Sequence, residues 1–139
     1  MSSSPVTPAS LQQALGTLFA PWVQALGLQV QSCAPSEVTL RLPPSDQLSR
    51  VGGMLCGQAM MAAADTAMVL ALISHFGEFR PCSTVQLSSS FLKPLSGQDA
   101  LVHARVLRAG KTMAFGEIDL RGADDGKSVF RASTTYALM

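Results

Sequence analysis

MLCGQAMMAAADTAMVLALISHF, residues 54–76, is the stretch that decides the fold. Its only formally charged residue is Asp65, and no other lies between Arg50 and Glu78. Ala, Met and Leu dominate it, and all three are strong helix formers. A helix of this composition is apolar nearly all round, so it has to be buried. Its length nearly suffices for a membrane span, but an Asp at mid-membrane costs about 2.5–3.5 kcal/mol on insertion scales. No basic cluster flanks either end, and the rest of the chain is patterned as strands. A central helix wrapped by an antiparallel sheet meets all of these conditions: an α+β fold with no membrane span.

Working outward towards the N-terminus, two strands are predicted at 28–33 and 37–42, joined by a tight turn through Pro35 and Ser36. Val38, Leu40 and Leu42 alternate with Glu37, Thr39 and Arg41, which is period two with one face buried. LQQALGTLFAPWVQAL at 11–26 spaces Leu11, Leu15, Leu18, Phe19, Trp22 and Leu26 as a helix. Ser10 is its predicted N-cap, Gly27 its stop, and Pro21 is set to kink or split it. Residues 1–10 are Ser/Pro-rich and predict a loose segment ahead of one domain over 11–139.

Towards the C-terminus four strands are predicted, at 83–92, 100–108, 113–121 and 129–138. In the first of them Val85, Leu87, Ser89 and Phe91 form the inward set. Val102, Ala104 and Val106 do so in the second, and Ala114, Ile118 and Leu120 in the third. ADDGKS at 123–128 carries an Asp-Gly hairpin signal, so this part of the sheet is antiparallel.

Composition narrows the function classes. The chain has 139 residues, which is long enough to bury a core alone. A net charge of +1 supplies no basic field for nucleic acid or an anionic membrane. Charged residues make up 14%, against roughly 25% in a typical soluble domain, which points to surface hidden in an oligomer. Cys33, Cys56 and Cys82 match neither a disulfide framework nor a zinc clip, and His75 and His103 are far apart, so no metal site is expected. MSSSPVTPAS has no basic or apolar region of a secretory signal, and the expected location is cytoplasmic.

Gly53, Cys56, Gly57 and Asp65 keep the register of a known pattern, close to N-x-x-G-x-x-H-G-G-x-x-x-x-L-x-D/E. ADTAM at 64–68, STVQLSSSFLKPLSG at 83–97 and the last three strands from 101 to 138 add to the match. On these residues the sequence resembles the hotdog-fold acyl-CoA thioesterases of the phenylacetate-degradation type. The departures are Cys56 in the position of the His, Gln58 in that of the second Gly, and Arg50 in that of the Asn. The resemblance implies a hotdog fold and hydrolysis of an aryl- or medium-chain acyl-CoA to acid and CoA. It implies no cofactor beyond the CoA of the substrate, and an active site shared across a homodimer, often within a homotetramer.

Thioester hydrolysis needs a donor where negative charge develops on the carbonyl oxygen, and a base or a nucleophile. Gly57, at the helix start, offers a free N–H and no side chain to block approach. Asp65 offers the carboxylate, as base or nucleophile. The alternative is a buried Asp satisfied by backbone or by Thr66, with no chemistry. The two residues are eight apart on one helix, about 12 Å at 1.5 Å per residue, so one carbonyl cannot touch both within a subunit. Two antiparallel helices related by a dyad would bring Gly57 of one chain opposite Asp65 of the other.

Arg50, Cys56, Gln58 and Thr66 flank these groups and are expected to line the substrate site. Ser89 and Ser90, within the run Ser88–Ser90, face either the thioester or a dimer seam. Lys93, Arg108 and Lys111, with Arg80, lie at strand ends or turns where CoA phosphates could be met, or are ordinary solvated charges. Cys56 at a helix start is either a thiol of lowered pKa or a small hydrophobe. A non-hydrolytic hotdog protein that binds acyl-CoA or another hydrophobic ligand is the competing function, favoured by Arg50, Cys56 and Gln58. A hotdog dehydratase commonly needs a catalytic His, and neither His lies in the motif.

Overall fold

The computed structural model describes residues 5–139. Residues 1–4 of the expected loose segment therefore lie outside the described residues. The first helix, α1, runs Pro8–Leu15 and starts earlier than the sequence reading placed it. Thr7, not Ser10, is the N-cap: its hydroxyl accepts from the Ser10 N–H at 3.1 Å, and Ser10 Oγ accepts from the Thr7 N–H at 2.9 Å. Pro8 at the first helical position needs no N–H partner, which is why the helix extends back to it. The helix expected over 11–26 is two: α1 ends before Gly16, and α2 spans only Pro21–Gln24. Pro21 cannot donate into a continuing helix, so it restarts one instead.

β1 (Gln29–Ala34) and β2 (Glu37–Leu42) pair antiparallel. Ser36 in their turn adopts φ +70°, unusual for a residue with a side chain. Its hydroxyl lies 2.7 Å from His75 Nδ1, and its carbonyl accepts from the Val106 N–H at 2.8 Å. The long helix α3 spans Gly57–Phe76, three residues shorter at its start than the apolar run. Leu55 is taken by the chain entry, where it bridges Ser49 and donates to the Leu95 carbonyl at 2.9 Å. Gly77 ends α3 at φ +79°, with its N–H on the Ile73 carbonyl at 2.8 Å, a left-handed C-cap.

β3 (Cys82–Phe91), β4 (Ala100–Ala109), β5 (Met113–Gly122) and β6 (Ser128–Leu138) complete one six-stranded antiparallel sheet, in the order β1-β2-β4-β5-β6-β3. This is the hotdog arrangement, with α3 laid against the inner face of the sheet. The inward residues are those that the alternation predicts: Val38, Leu40, Leu42, Val102, Ala104, Val106, Ala114, Ile118 and Leu120 are all buried. By length and composition α3 could cross a membrane, but here its Ala59, Ala63, Ala64, Ala67 and Ala71 are buried in the domain. Small side chains let the helix lie close to the sheet.

That approach is tightest at Gly116 on β5. A Cβ there would lie 2.3 Å from Met68 Cε and 2.8 Å from the Arg105 carbonyl oxygen. Met68 can shift, but the backbone of β4 cannot do so cheaply. Gly116→Ala should therefore destabilise the fold by about 1–3 kcal/mol, the usual cost of overpacking. Urea unfolding of the variant measures it, and an unchanged midpoint would contradict this packing.

β3 departs from its predicted pattern. Its register slips between Thr84 and Gln86, so Val85 is a bulge residue and is 59% exposed. One extra residue reverses the side-chain parity upstream of the bulge. Leu87, Ser89 and Phe91 keep the inward side, while Thr84 and Cys82 turn inward in place of Val85.

Candidate active site

Asp65 lies half-buried on the face of α3 that meets β3 and β6. Thr84 Oγ1 donates to its Oδ1 at 2.8 Å, and the Tyr136 hydroxyl donates to the same oxygen. The Tyr136 oxygen also lies 2.9 Å from the Asp65 main-chain carbonyl. Among the described residues Oδ2 accepts no hydrogen bond. Thr66 does not hold the carboxylate, because its hydroxyl is spent on the Ala62 carbonyl at 2.7 Å. Burial, then the charge of Asp65, keeps the Tyr136 phenol well above its ordinary range, so it stays a donor. The same two causes, in the same order, push the Cys82 thiol up. A cavity of about 180 Å³ opens beside the carboxylate, walled by Phe19, Trp22, Val23, Val69, Cys82 and Tyr136. Splitting the first helix at Pro21 is what sets Trp22 at its rim.

Gly57 opens α3 after Cys56, which takes extended backbone angles and makes no side-chain cap bond. Among the described residues no acceptor meets the N–H groups of Gly57 and Gln58. They carry the positive end of the helix dipole. Gly57 faces a cleft of about 340 Å³ that it shares with Arg50, Met54, Met60, Phe91, Leu92 and Lys93. Arg50 leans on Met54, with Nη2 3.5 Å from Sδ, in a tight hairpin where the Gly53 N–H meets the Arg50 carbonyl at 2.9 Å. Among the described residues no carboxylate lines this cleft, and the Asp65 cavity does not include Gly57. Gly57 and Asp65 thus border separate cavities within one chain.

Of the residues singled out from sequence, Arg50, Gly57 and Lys93 meet in one cleft, and Asp65 and Thr66 border the other. Cys56 is half-buried against the core, as a small hydrophobe would be, and Gln58 is exposed at the helix start. Ser89 and Ser90 point to opposite faces. Ser89 Oγ is buried on the helix side with no partner among the described residues, whereas Ser90 faces a concavity of about 430 Å³ on the outer face of the sheet. The period of a strand is two, so adjacent serines cannot serve one site. The outer concavity is lined by charges that pair among themselves, Arg105 with Glu117 and Arg121 and Arg131 with Asp119. Arg108 and Lys111 are exposed and border neither the Gly57 cleft nor the Asp65 cavity. Lys111 sits in the turn between β4 and β5, and Arg108 beyond the irregularity near the end of β4. His75 bonds Ser36, His103 lies 3.3 Å from Glu37, and neither borders the Gly57 cleft or the Asp65 cavity.

Sequence reasoning missed Thr84, Cys82 and Tyr136. A signal for Tyr136 was present: it is the only tyrosine in the chain, on the inward alternation of β6. A buried Tyr hydroxyl needs a partner, and so does a lone Asp in an apolar helix.

Residues 52–129, more than half the chain, match the thioesterase superfamily, a span that contains Gly57, Asp65 and Thr84 and stops before Tyr136. Human acyl-coenzyme A thioesterase 13 is 27% identical over 108 residues, covering 77% of this chain and 76% of that protein. Zebrafish thioesterase superfamily member 2 has the same fold, with a TM-score of 0.86 at 24% identity over 96% of this chain and 99% of its own. So has the Escherichia coli PaaI protein from the phenylacetic acid degradation operon, with a TM-score of 0.80 at 18% identity and 95% of each chain covered. With a hotdog sheet around an apolar helix, Gly57 and Asp65 in the motif's register, and a family match over both, the chain belongs to the thioesterase superfamily.

Proposed function

We propose that the protein hydrolyses acyl-CoA thioesters carrying an aryl- or medium-chain acyl group, at a site shared by two subunits. The observation that carries this reading is the Asp65 carboxylate. One oxygen is held by two hydroxyl donors, the other accepts no hydrogen bond among the described residues, and a mostly apolar cavity borders the carboxylate. Oδ2 takes a proton from water as the water oxygen attacks the thioester carbon, or attacks that carbon itself. The oxyanion that forms is met by the Gly57 N–H of the other chain. Collapse expels CoA as thiolate, which recovers the proton from Asp65 on the first route; on the second it leaves an acyl–Asp65 anhydride, which water hydrolyses to the free acid as the thiolate takes up the proton released. CoA enters as part of the substrate, and Arg50 and Lys93, cations that line the Gly57 cleft, would meet its phosphates.

A carbonyl that needs Gly57 and Asp65 together needs two chains, since about 12 Å of helix separates them. An unpaired sheet edge supports the same assembly. β3 is an edge strand, and Val85, Phe91 and Leu92 on or just after it are more than half exposed. A long edge with apolar side chains is the kind that natural sheets cover. Pairing the β3 edge with its copy across a dyad would cover it and set the two α3 helices antiparallel. Sedimentation should therefore find at least a dimer of the 14.6 kDa chain at micromolar concentration, and a tetramer if dimers pair again. A monomer would remove the shared site.

The departures Arg50, Cys56 and Gln58 favour a second reading, a non-hydrolytic binder of acyl-CoA. Thiol release measured over a panel of acyl-CoAs separates the two. The proposal expects turnover with an aryl or medium-chain member, and tight binding without thiol release would favour the binder.

A further inference from the structure

We propose that Tyr136 is a positioning residue for the Asp65 carboxylate, an inference that rests on the catalytic reading of Asp65 above. The torsion that turns a carboxylate about its Cβ is soft and roughly two-fold, so the side chain alone does not choose which oxygen faces the cavity. Here the choice is imposed from two strands. Thr84 reaches Oδ1 from β3, and Tyr136 reaches the same atom from β6, 71 residues along the chain. Tyr136 is 1% exposed, so no water competes for its hydroxyl, and a hydrogen bond to a charged group in such surroundings is among the stronger ones. With Oδ1 occupied twice, Oδ2 is the oxygen left for water. The rival role is structural: the same hydroxyl lies 2.9 Å from the Asp65 main-chain carbonyl and could merely staple α3 to β6.

The two roles differ in what the hydroxyl does to the carboxylate's protonation. A donor to the ionised form favours that form. The titratable groups that face Asp65 are Tyr136 from β6 and Cys82 from β3, and the variants below leave Cys82 in place. Tyr136→Phe should lower kcat by about 10- to 100-fold, the range spanned by one hydrogen bond to a charged group, with KM within about twofold. It should also move the acidic limb of the pH–rate profile to higher pH. Because the chain has one tyrosine, growth on ring-fluorinated tyrosine alters Tyr136 alone. The fluorinated phenol is a stronger donor of the same shape, and it should move that limb to lower pH. In an Asp65→Asn background Tyr136→Phe should cost nothing further in kcat, since its effect runs through the carboxylate. An NMR titration of the Asp65 carboxyl carbon reads the same contact without turnover and should follow the same opposite shifts. Loss of melting temperature with no movement of the limb or of the carboxyl titration would overturn the inference, and so would an equal loss in both backgrounds. Asp65→Asn keeping full activity would instead overturn the catalytic reading, and the carboxyl titration would still decide whether Tyr136 holds the group.

Discussion

Asp65→Asn should lower kcat by at least about 100-fold, the lower end for loss of a general base. The amide is close to the carboxylate in shape, and its oxygen still accepts from Thr84 and Tyr136, so α3 stays docked on β3 and β6. What disappears is the basic oxygen that accepts from neither hydroxyl, where an NH2 group now stands. Stability should change little, and a kcat far below wild type with a nearly unchanged melting temperature is the expected pair of results. Stopped-turnover thiol release and a thermal melt on the same preparation measure both. An Asp65→Asn protein with wild-type turnover would leave the carboxylate a structural group.

Gly57→Ala should cut turnover by an amount approaching the 100- to 1000-fold typical of a lost oxyanion donor. The N–H remains, but a methyl group then stands where the thioester must approach. The added Cβ would sit 3.1 Å from Cε1 of Phe91. Phe91 is 53% exposed and packs edge-on against Phe130 at 5.2 Å between centroids, so its ring can yield by the few tenths of an ångström required. The melting temperature should therefore fall by less than about 4 °C, for a cost below about 1 kcal/mol. Steady-state kinetics should place the loss in kcat more than in KM, because the donor matters most where charge develops. Undiminished kcat would mean that the substrate carbonyl lies elsewhere.

The sheet and the helix were legible because their burial patterns are simple. Strands with one buried face write a period of two, as in Val38, Leu40 and Leu42, and an all-apolar helix has one place to go. The N-terminus was harder. Ser10 and Thr7 are both good cap residues, and only Pro8 between them favours the earlier start. Gly57 and Asp65 stand out as candidates through their register and through the anomaly of one charge in an apolar helix. Their surroundings do not, for a geometric reason. The bulge at Val85 leaves no mark in a short alternating strand, yet it decides that Thr84 and Cys82, not Val85, face the helix. The same parity sends Ser90 to the outer face and away from Ser89. Tyr136 reaches Asp65 across 71 residues, a pairing that no local pattern encodes. Arg108 and Lys111 stand out as cations near a strand end and in the Arg-Ala-Gly-Lys turn, and within one chain they border neither cavity.

The shared site can be tested without any ligand structure by mixing two inactive chains. One carries Asp65→Asn and keeps Gly57; the other carries Gly57→Ala and keeps Asp65. If each site takes its N–H from one subunit and its carboxylate from the other, a mixed dimer contains one site with both groups intact and one with neither. Co-expression with two affinity tags isolates the mixed dimer, and thiol release from the best acyl-CoA of the panel should return to about half the wild-type rate per dimer, one site of the two in a symmetric pair. A mixed dimer no more active than its two parents would contradict the shared site.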